Sequence, residues 1–237
     1  MKQVNLKYNI LLSGSFRVVV MVISFVTSVL SARYLGVTLK GQLSYLVTIS
    51  GFIWMVMDLG LYRSFPYLVR KHPDKIGSLY KWIFIQFLAY TSILLFVGYL
   101  FITFFSSLLG FNFNFQYLFL FVLLITTAQT VMQLQSLYLG LNKIWQHSIA
   151  QLLNALIMLL FLLLGFILLK QIDRLYYLLL ITVCTNLIII FYYIVKHNWN
   201  NLKCKLDWVF TASSYKSGFR VFLSTLFIIL LIRFDIV

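Results

Sequence analysis

Residues 82–142 read WIFIQFLAYTSILLFVGYLFITFFSSLLGFNFNFQYLFLFVLLITTAQTVMQLQSLYLGLN, with no charged side chain between Lys81 and Lys143. A helix needs roughly 20 apolar residues to cross a hydrocarbon core about 30 Å thick. The stretch is long enough for two passes. Gly110-Phe111-Asn112-Phe113-Asn114 is the natural turn between them, because Gly and Asn tolerate turn geometry. Working outward, seven segments meet or approach the spanning length: 11–32, 43–62, 82–109, 117–140, 149–169, 175–195 and 219–237. The reading is an all-α, polytopic transmembrane helix bundle.

Composition agrees. The 237 residues are 62% hydrophobic and 10% charged, with a mean hydropathy of +0.96. A soluble domain is about 45–50% apolar and about 25% charged, and a globule of this size cannot hide so much apolar surface. The chain has no Glu, five Asp and three His. A soluble enzyme, a disulfide scaffold and a disordered tail are all excluded. Cys184 lies in an apolar run and Cys204 in a basic loop, without CxxC spacing, so no disulfide framework is implied.

The net charge of +14 does not point to nucleic acid, since the basic residues are spread between apolar segments. The polyanion they suit is the membrane headgroup layer or an anionic lipid substrate. Counting Lys and Arg by loop sets the orientation. With a cytoplasmic N-terminus, the inside segments hold Lys2, Lys7, Arg63, Arg70, Lys71, Lys75, Lys81, Lys143, Lys196, Lys203, Lys205 and Lys216. The outside loops hold Arg33, Lys40, Lys170 and Arg174. Twelve against four favours N-in, in an inner or plasma membrane. Lys2 and Lys7 ahead of Ser31-Ala32 invite a signal-peptide reading. Arg17 interrupts that apolar run and six more spans follow, which favours an uncleaved first span.

Polar groups inside apolar spans are costly, so they face a cavity or a partner helix. In the first span Ser13, Arg17, Ser24, Ser28 and Ser31 form a stripe, and in the second Ser44, Thr48, Gly51, Asp58 and Tyr62 share a face. The fourth carries Thr126, Gln129, Gln133, Ser136 and Gly140, and the fifth His147, Gln151, Asn154 and Gly165. Small residues also line ordinary helix contacts in membranes, and amides serve there as hydrogen-bond glue. Arg17 and Asp58 point more firmly to a water-filled cavity or an ion pair, because a charge within a span costs at least about 2.5 kcal/mol. Snorkelling to the interface is the plain alternative for Arg17, and Asp58 sits near the end of its span. There is no Walker A loop, no HExxH, no GxSxG and no acid/base carboxylate pair. The three His stand singly, so the sequence implies neither cofactor, metal nor enzyme chemistry.

Ser13-Gly14-Ser15-Phe16-Arg17-Val18-Val19 is matched, with one deletion, by Ser217-Gly218-Phe219-Arg220-Val221-Phe222. Each copy opens a span after a basic segment, which suggests parallel repeats facing across a central cavity. The chain then stops inside an apolar run ending Arg233-Phe234-Asp235-Ile236-Val237, without a polar flank. That reads as a truncated chain, or half of a larger protein.

Ser31-Ala32-Arg33-Tyr34-Leu35-Gly36 closing one span, Gly41-Gln42-Leu43 opening the next, and Asp58-Leu59-Gly60-Leu61 followed by Arg63 and Arg70 resemble the start of bacterial polysaccharide flippases. These are the Wzx-like transporters of the multidrug/oligosaccharidyl-lipid/polysaccharide (MOP) superfamily. Tyr215-Lys216-Ser217-Gly218-Phe219 through Arg233-Phe234-Asp235 is similar to the family's seventh helix. The resemblance covers the chain but the first half of a usual member. It implies a MATE-like six-helix N-lobe over 1–212, with 213–237 the first helix of a second lobe. It also implies alternating access and an undecaprenyl-pyrophosphate-linked oligosaccharide as cargo, carried to the outer leaflet for surface polysaccharide such as O-antigen. Glycan polymerases are the partners implied. By position, Arg17, Asp58, Arg220, Arg233 and Asp235 match the family's cavity charges. Gln129, Gln133, Gln151 and Asn154 join them as substrate-binding candidates, since pyrophosphate and sugar hydroxyls need cationic and amide groups along the path. The rival readings are a drug/cation antiporter of the same superfamily, with Asp58 as an ion site, and a polytopic glycan polymerase or glycosyltransferase. The latter calls for a long outward loop, and the outside loops here are short.

The topology is testable by cysteine labelling from the outer face. A Cys placed at Asn114 is expected to react and one at Lys75 to be protected; the reverse pattern overturns the orientation.

Overall fold

The computed structural model of the chain describes the backbone of residues 6–109, 115–168, 173–196 and 206–234, and the side chains of 13–104, 115–167, 173–196 and 206–224. The expected turn at 110–114 lies outside the described residues, as do Cys204, the Arg233 side chain and all of Asp235. Every element among the described residues is helical: α1 (Leu6–Asp58), α2 (Leu61–Lys71), a 3-10 turn (Pro73–Lys75), α3 (Ile76–Leu109), α4 (Phe115–Gly140), α5 (Ile144–Leu168), α6 (Arg174–Lys196) and α7 (Trp208–Phe234). Five of these helices are long and apolar enough to cross a membrane.

A straight α1 of 53 residues would reach about 80 Å at 1.5 Å per residue, far beyond one bilayer. Gly36 interrupts it with φ 75 and ψ 175, a conformation that essentially only Gly adopts. The contacts of the two halves show the chain turning back there. Phe16 packs on Trp145 and Tyr34 on Phe166, so the first half runs parallel to α5. Leu43 and Leu46 pack beside Leu120 and Leu124, and Asp58 meets Gln133, so the second half runs parallel to α4. Because α4 and α5 are antiparallel across a turn at Asn142 (φ 58), so are the two halves of α1. The spans expected at 11–32 and 43–62 are therefore two passes joined through one glycine.

The second pass stops at Asp58 rather than 62, where Leu59 (φ 49) and Gly60 (φ 73) take left-handed backbone. The stretch after it, read as a basic loop, is instead helix α2. Leu61, Ser64, Phe65, Leu68 and Val69 form its buried face, at the i, i+3, i+4, i+7 spacing of an amphipathic helix. Arg63, Tyr67, Arg70 and Lys71 are left exposed. The charges hid the apolar stripe in a segment too short to register as a span. Helices α3, α5 and α7 likewise begin several residues before their apolar windows, and the expected boundary at 212/213 falls within the first turns of α7.

Two points show why α2 sits tightly on α4. Pro66 lies inside α2 and has no N–H to give the Tyr62 carbonyl one turn back; Ser136 Oγ donates to that carbonyl instead. A Cβ on Gly140 would stand 2.8 Å from Pro66 Cα, so only glycine permits the approach. The largest core cluster gathers here, with Phe65, Tyr80, Leu134, Tyr138 and Tyr193 all buried. Outward, Val18, Met21, Val22 and Phe25 of α1 and Leu88, Ile93 and Phe96 of α3 are exposed, a surface suited to lipid rather than water.

The reversal at Gly36 sets up a paired test. Gly36→Ala is expected to cost about 1–3 kcal/mol. Gly41→Ala, in helical backbone with nothing within 4 Å of the added Cβ, is expected to be neutral or slightly stabilising. Unfolding of each variant in detergent micelles checks this; equal effects would remove the special role of Gly36.

Candidate functional site

The site starts from Asp58, the last residue of α1, whose side chain is 1% exposed. Its Oδ2 accepts the backbone N–H of Tyr62 at 2.9 Å, which ties down an orphan amide at the start of α2. Its Oδ1 accepts Gln133 Nε2 at 2.7 Å. The same Nε2 donates to Gln86 Oε1 at 3.1 Å, and Gln86 Nε2 donates to Tyr215 Oη of α7 and to Tyr90 Oη at 3.3 Å. Trp82 Nε1 also donates to Tyr215 Oη, at 3.3 Å, and Tyr90 Oη donates to the Met57 carbonyl at 3.1 Å. One connected network thus runs from α1 through α4 and α3 to α7. Asp58 has no ion-pair partner among the described residues; hydrogen bonds alone satisfy its carboxylate.

Three of the candidates read from the sequence come together here. Asp58, Gln129 and Gln133 are all buried, and the stripe Gln129, Gln133, Ser136 and Gly140 does face inward. Gln129, one turn before Gln133, lies against the Asp58 carboxylate; its Nε2 is nevertheless buried without a properly formed hydrogen bond. The others stand apart. Arg17 is exposed on α1, where its charge is felt by His147 of α5. Gln151 and Asn154 are half-buried on α5 and Arg220 is exposed on α7, with no hydrogen bond to the cluster. Arg233 and Asp235 lie outside the described side chains. The first-span stripe divides: Ser31 is buried, whereas Ser24 and Ser28 are exposed. Gln86, Tyr90 and Tyr215 were missed. An amide and a phenol at i, i+4 in a charge-free span were the available signal for the first two.

Glycines bring α7 close to this cluster. A Cβ on Gly60 would stand 2.5 Å from the Gly218 carbonyl oxygen, and one on Gly218 would stand 3.0 Å from Leu61 Cα. The start of α7 is fixed by Asp207, whose Oδ1 accepts Phe210 N–H at 2.9 Å as an N-cap. Its Oδ2 accepts Lys75 Nζ at 2.8 Å. That hydrogen bond holds the Asp207 carboxyl below its usual range and the Lys75 ammonium above its own. The Asp207 contribution is full above the ordinary carboxylate pKa and fades as pH falls through the lowered one; the Lys75 contribution fades only as pH rises through its raised value. Both are present at neutral pH, and both side chains are only partly buried, so salt screens them. Beside Gly60 lies a cavity of about 210 Å³ lined by Gly51, Trp54, Met55, Gly60, Tyr62, Arg63 and Phe222. No group of three or more His, Cys, Asp or Glu suited to a metal occurs among the described residues.

The network predicts an asymmetric mutational response. Gln133→Leu strips Asp58 of a buried donor and is expected to destabilise by about 2–4 kcal/mol. Adding Asp58→Asn in that background is expected to recover at least part of the loss, because the buried group is then neutral. Unfolding midpoints in micelles measure both; a neutral Gln133→Leu would contradict the role assigned to the pair.

Comparison with curated proteins and with solved structures returns no match. The profile of one family, described as polysaccharide biosynthesis protein, matches residues 6–237. That match spans all seven helices, the buried Asp58 cluster and the glycine crossing of α7. The chain belongs to the polysaccharide biosynthesis protein family, the family of the Wzx-like flippases of the MOP superfamily.

Proposed function

We propose that the protein takes part in flipping an undecaprenyl-pyrophosphate-linked oligosaccharide across the bacterial cytoplasmic membrane, from the inner to the outer leaflet. Family membership over residues 6–237 carries this reading, and the helical bundle supplies what transport of such a cargo needs. Polar residues that lipid would not favour, Arg17, Ser24, Ser28, Ser44 and Thr48, are exposed on the two passes of α1. They offer a polar face for a headgroup whose phosphates and hydroxyls cannot cross hydrocarbon. The buried Asp58–Gln133–Gln86–Tyr215 chain links α7 to α1, α4 and α3. The helix ends also differ in charge: Arg63, Arg70, Lys71, Lys75, Lys81, Lys143 and Lys196 gather at one end of the bundle, against Arg33, Lys40 and Arg174 at the other. Positive residues favour the cytoplasmic side, which supports a cytoplasmic N-terminal end of α1. In this reading α7 opens the second of two lobes that rock about the substrate.

Removing the gene from its host tests transport against synthesis. The expected result is loss of surface polysaccharide together with accumulation of the lipid-linked oligosaccharide on the cytoplasmic leaflet. Loss without accumulation would instead favour a glycosyltransferase. In complemented cells Arg17→Ala is expected to cut export more than Arg17→Lys, because a lone ammonium still attracts phosphate without the bidentate fork. Normal export by Arg17→Ala at equal protein level would make Arg17 an interfacial anchor.

A further inference from the structure

We infer that the cavity beside Gly60 is a subsite for a single pyranose ring of the cargo, held by Trp54 and Tyr62. The inference rests on the transport reading above and adds to it which part of the cargo this chain grips. A volume of about 210 Å³ accommodates one sugar ring and not a chain. Trp54 and Tyr62 form a corner, with ring centroids 5.5 Å apart and planes at 73°. A pyranose offers a face of C–H bonds with a positive edge, which suits the negative face of an aromatic ring, and hydroxyls around its rim.

The corner carries polar groups in the right places. Among the described residues the Trp54 indole N–H has no hydrogen-bond acceptor, and Trp54 is half-buried and lines the cavity. Tyr62 Oη already accepts a hydrogen bond from Arg63 Nε at 2.7 Å, which leaves its own O–H to donate. The Arg63 guanidinium also lies over the Tyr62 ring, 5.6 Å from its centroid, and holds that ring in place. Gly51 and Gly60 add no side chains. A Cβ on Gly51 would meet nothing within 4 Å except Trp54 Nε1 at 3.8 Å, so the indole edge stays uncovered because position 51 is glycine.

The position of the subsite is set by the buried network. Asp58 holds Tyr62 N–H, and Gly60 is pressed against Gly218, so the floor of the cavity and the Tyr62 backbone are rigid before any ligand arrives. Phe222 of α7 closes one side. The two free side-chain groups, Trp54 N–H and Tyr62 O–H, are both donors. They favour a ring that presents a strong acceptor, such as an acetamido carbonyl, over one whose only acceptors are hydroxyl and ether oxygens.

Saturation-transfer NMR on the whole protein in a phosphocholine detergent tests this, with methyl β-N-acetylglucosaminide and methyl β-glucoside as probes. Transfer to the ring C–H protons is expected, stronger for the acetamido sugar. Trp54→Ala is expected to weaken binding roughly tenfold. Gly51→Leu is expected to do the same by filling the floor while leaving both aromatic rings. Trp145→Ala, an exposed indole elsewhere, is expected to change nothing. Transfer that survives both Trp54→Ala and Gly51→Leu places sugar binding elsewhere and overturns the subsite. So does absence of transfer to the wild type, or displacement of the sugar by inorganic pyrophosphate, which would mark an anion site. None of these results touches the transport reading, which stands or falls on accumulation of the lipid-linked oligosaccharide when the gene is lost.

Discussion

The arrangement depends on burying the carboxylate of Asp58 without a counter-cation. A carboxylate in a low-dielectric interior is costly unless hydrogen bonds replace its lost water. Here Tyr62 N–H and Gln133 Nε2 take that role, and each ties Asp58 to a different helix. Satisfying Gln133 in turn draws in Gln86, and satisfying Gln86 draws in Tyr215. Hydrogen bonding therefore spreads from one residue to α1, α2, α4, α3 and α7. In lipid, where no water stands by to replace a lost partner, such a network fixes helix positions more firmly than apolar contact, since lipid tails satisfy apolar side chains equally well.

Glycine supplies the complementary constraint. Where hydrogen bonds choose which helices meet, the missing side chains of Gly60, Gly218 and Gly140 decide how close they come. The close approach at Gly140 is also what lets Ser136 reach the carbonyl that Pro66 leaves without a donor. An apparent flaw in α2, a proline inside a helix, is thus compensated by a hydroxyl from α4 one contact away. The same logic operates at Gly36, where a single residue does the work of an inter-span loop.

The cluster is buried and internally hydrogen-bonded, whereas Arg17, Ser24, Ser28, Ser44 and Thr48 are exposed. Arg17 is exposed and stands near the imidazole of His147 rather than near Asp58. The two intramembrane charges read from the sequence therefore have separate environments.

The sequence by itself determined the class, the number of passes up to α6 and the asymmetry of charge between the two ends. Those follow from run length and composition, which act residue by residue and need no partner. It also singled out Asp58, Gln129 and Gln133, because a polar group in an apolar run is anomalous wherever it points. What only the tertiary structure decided is who meets whom. Helix α2 was hidden because its apolar stripe is short and its charges dominate the local count. Gln86 and Tyr215 were hidden because their importance lies in a contact across 129 residues of chain. Arg17 and Asp58 look alike as charges in spans, yet one is exposed and the other sealed. Periodicity gives the face a side chain occupies on its own helix, while its surroundings depend on the rotation and approach of neighbouring helices, which are set by close packing and by hydrogen bonds between buried polar groups.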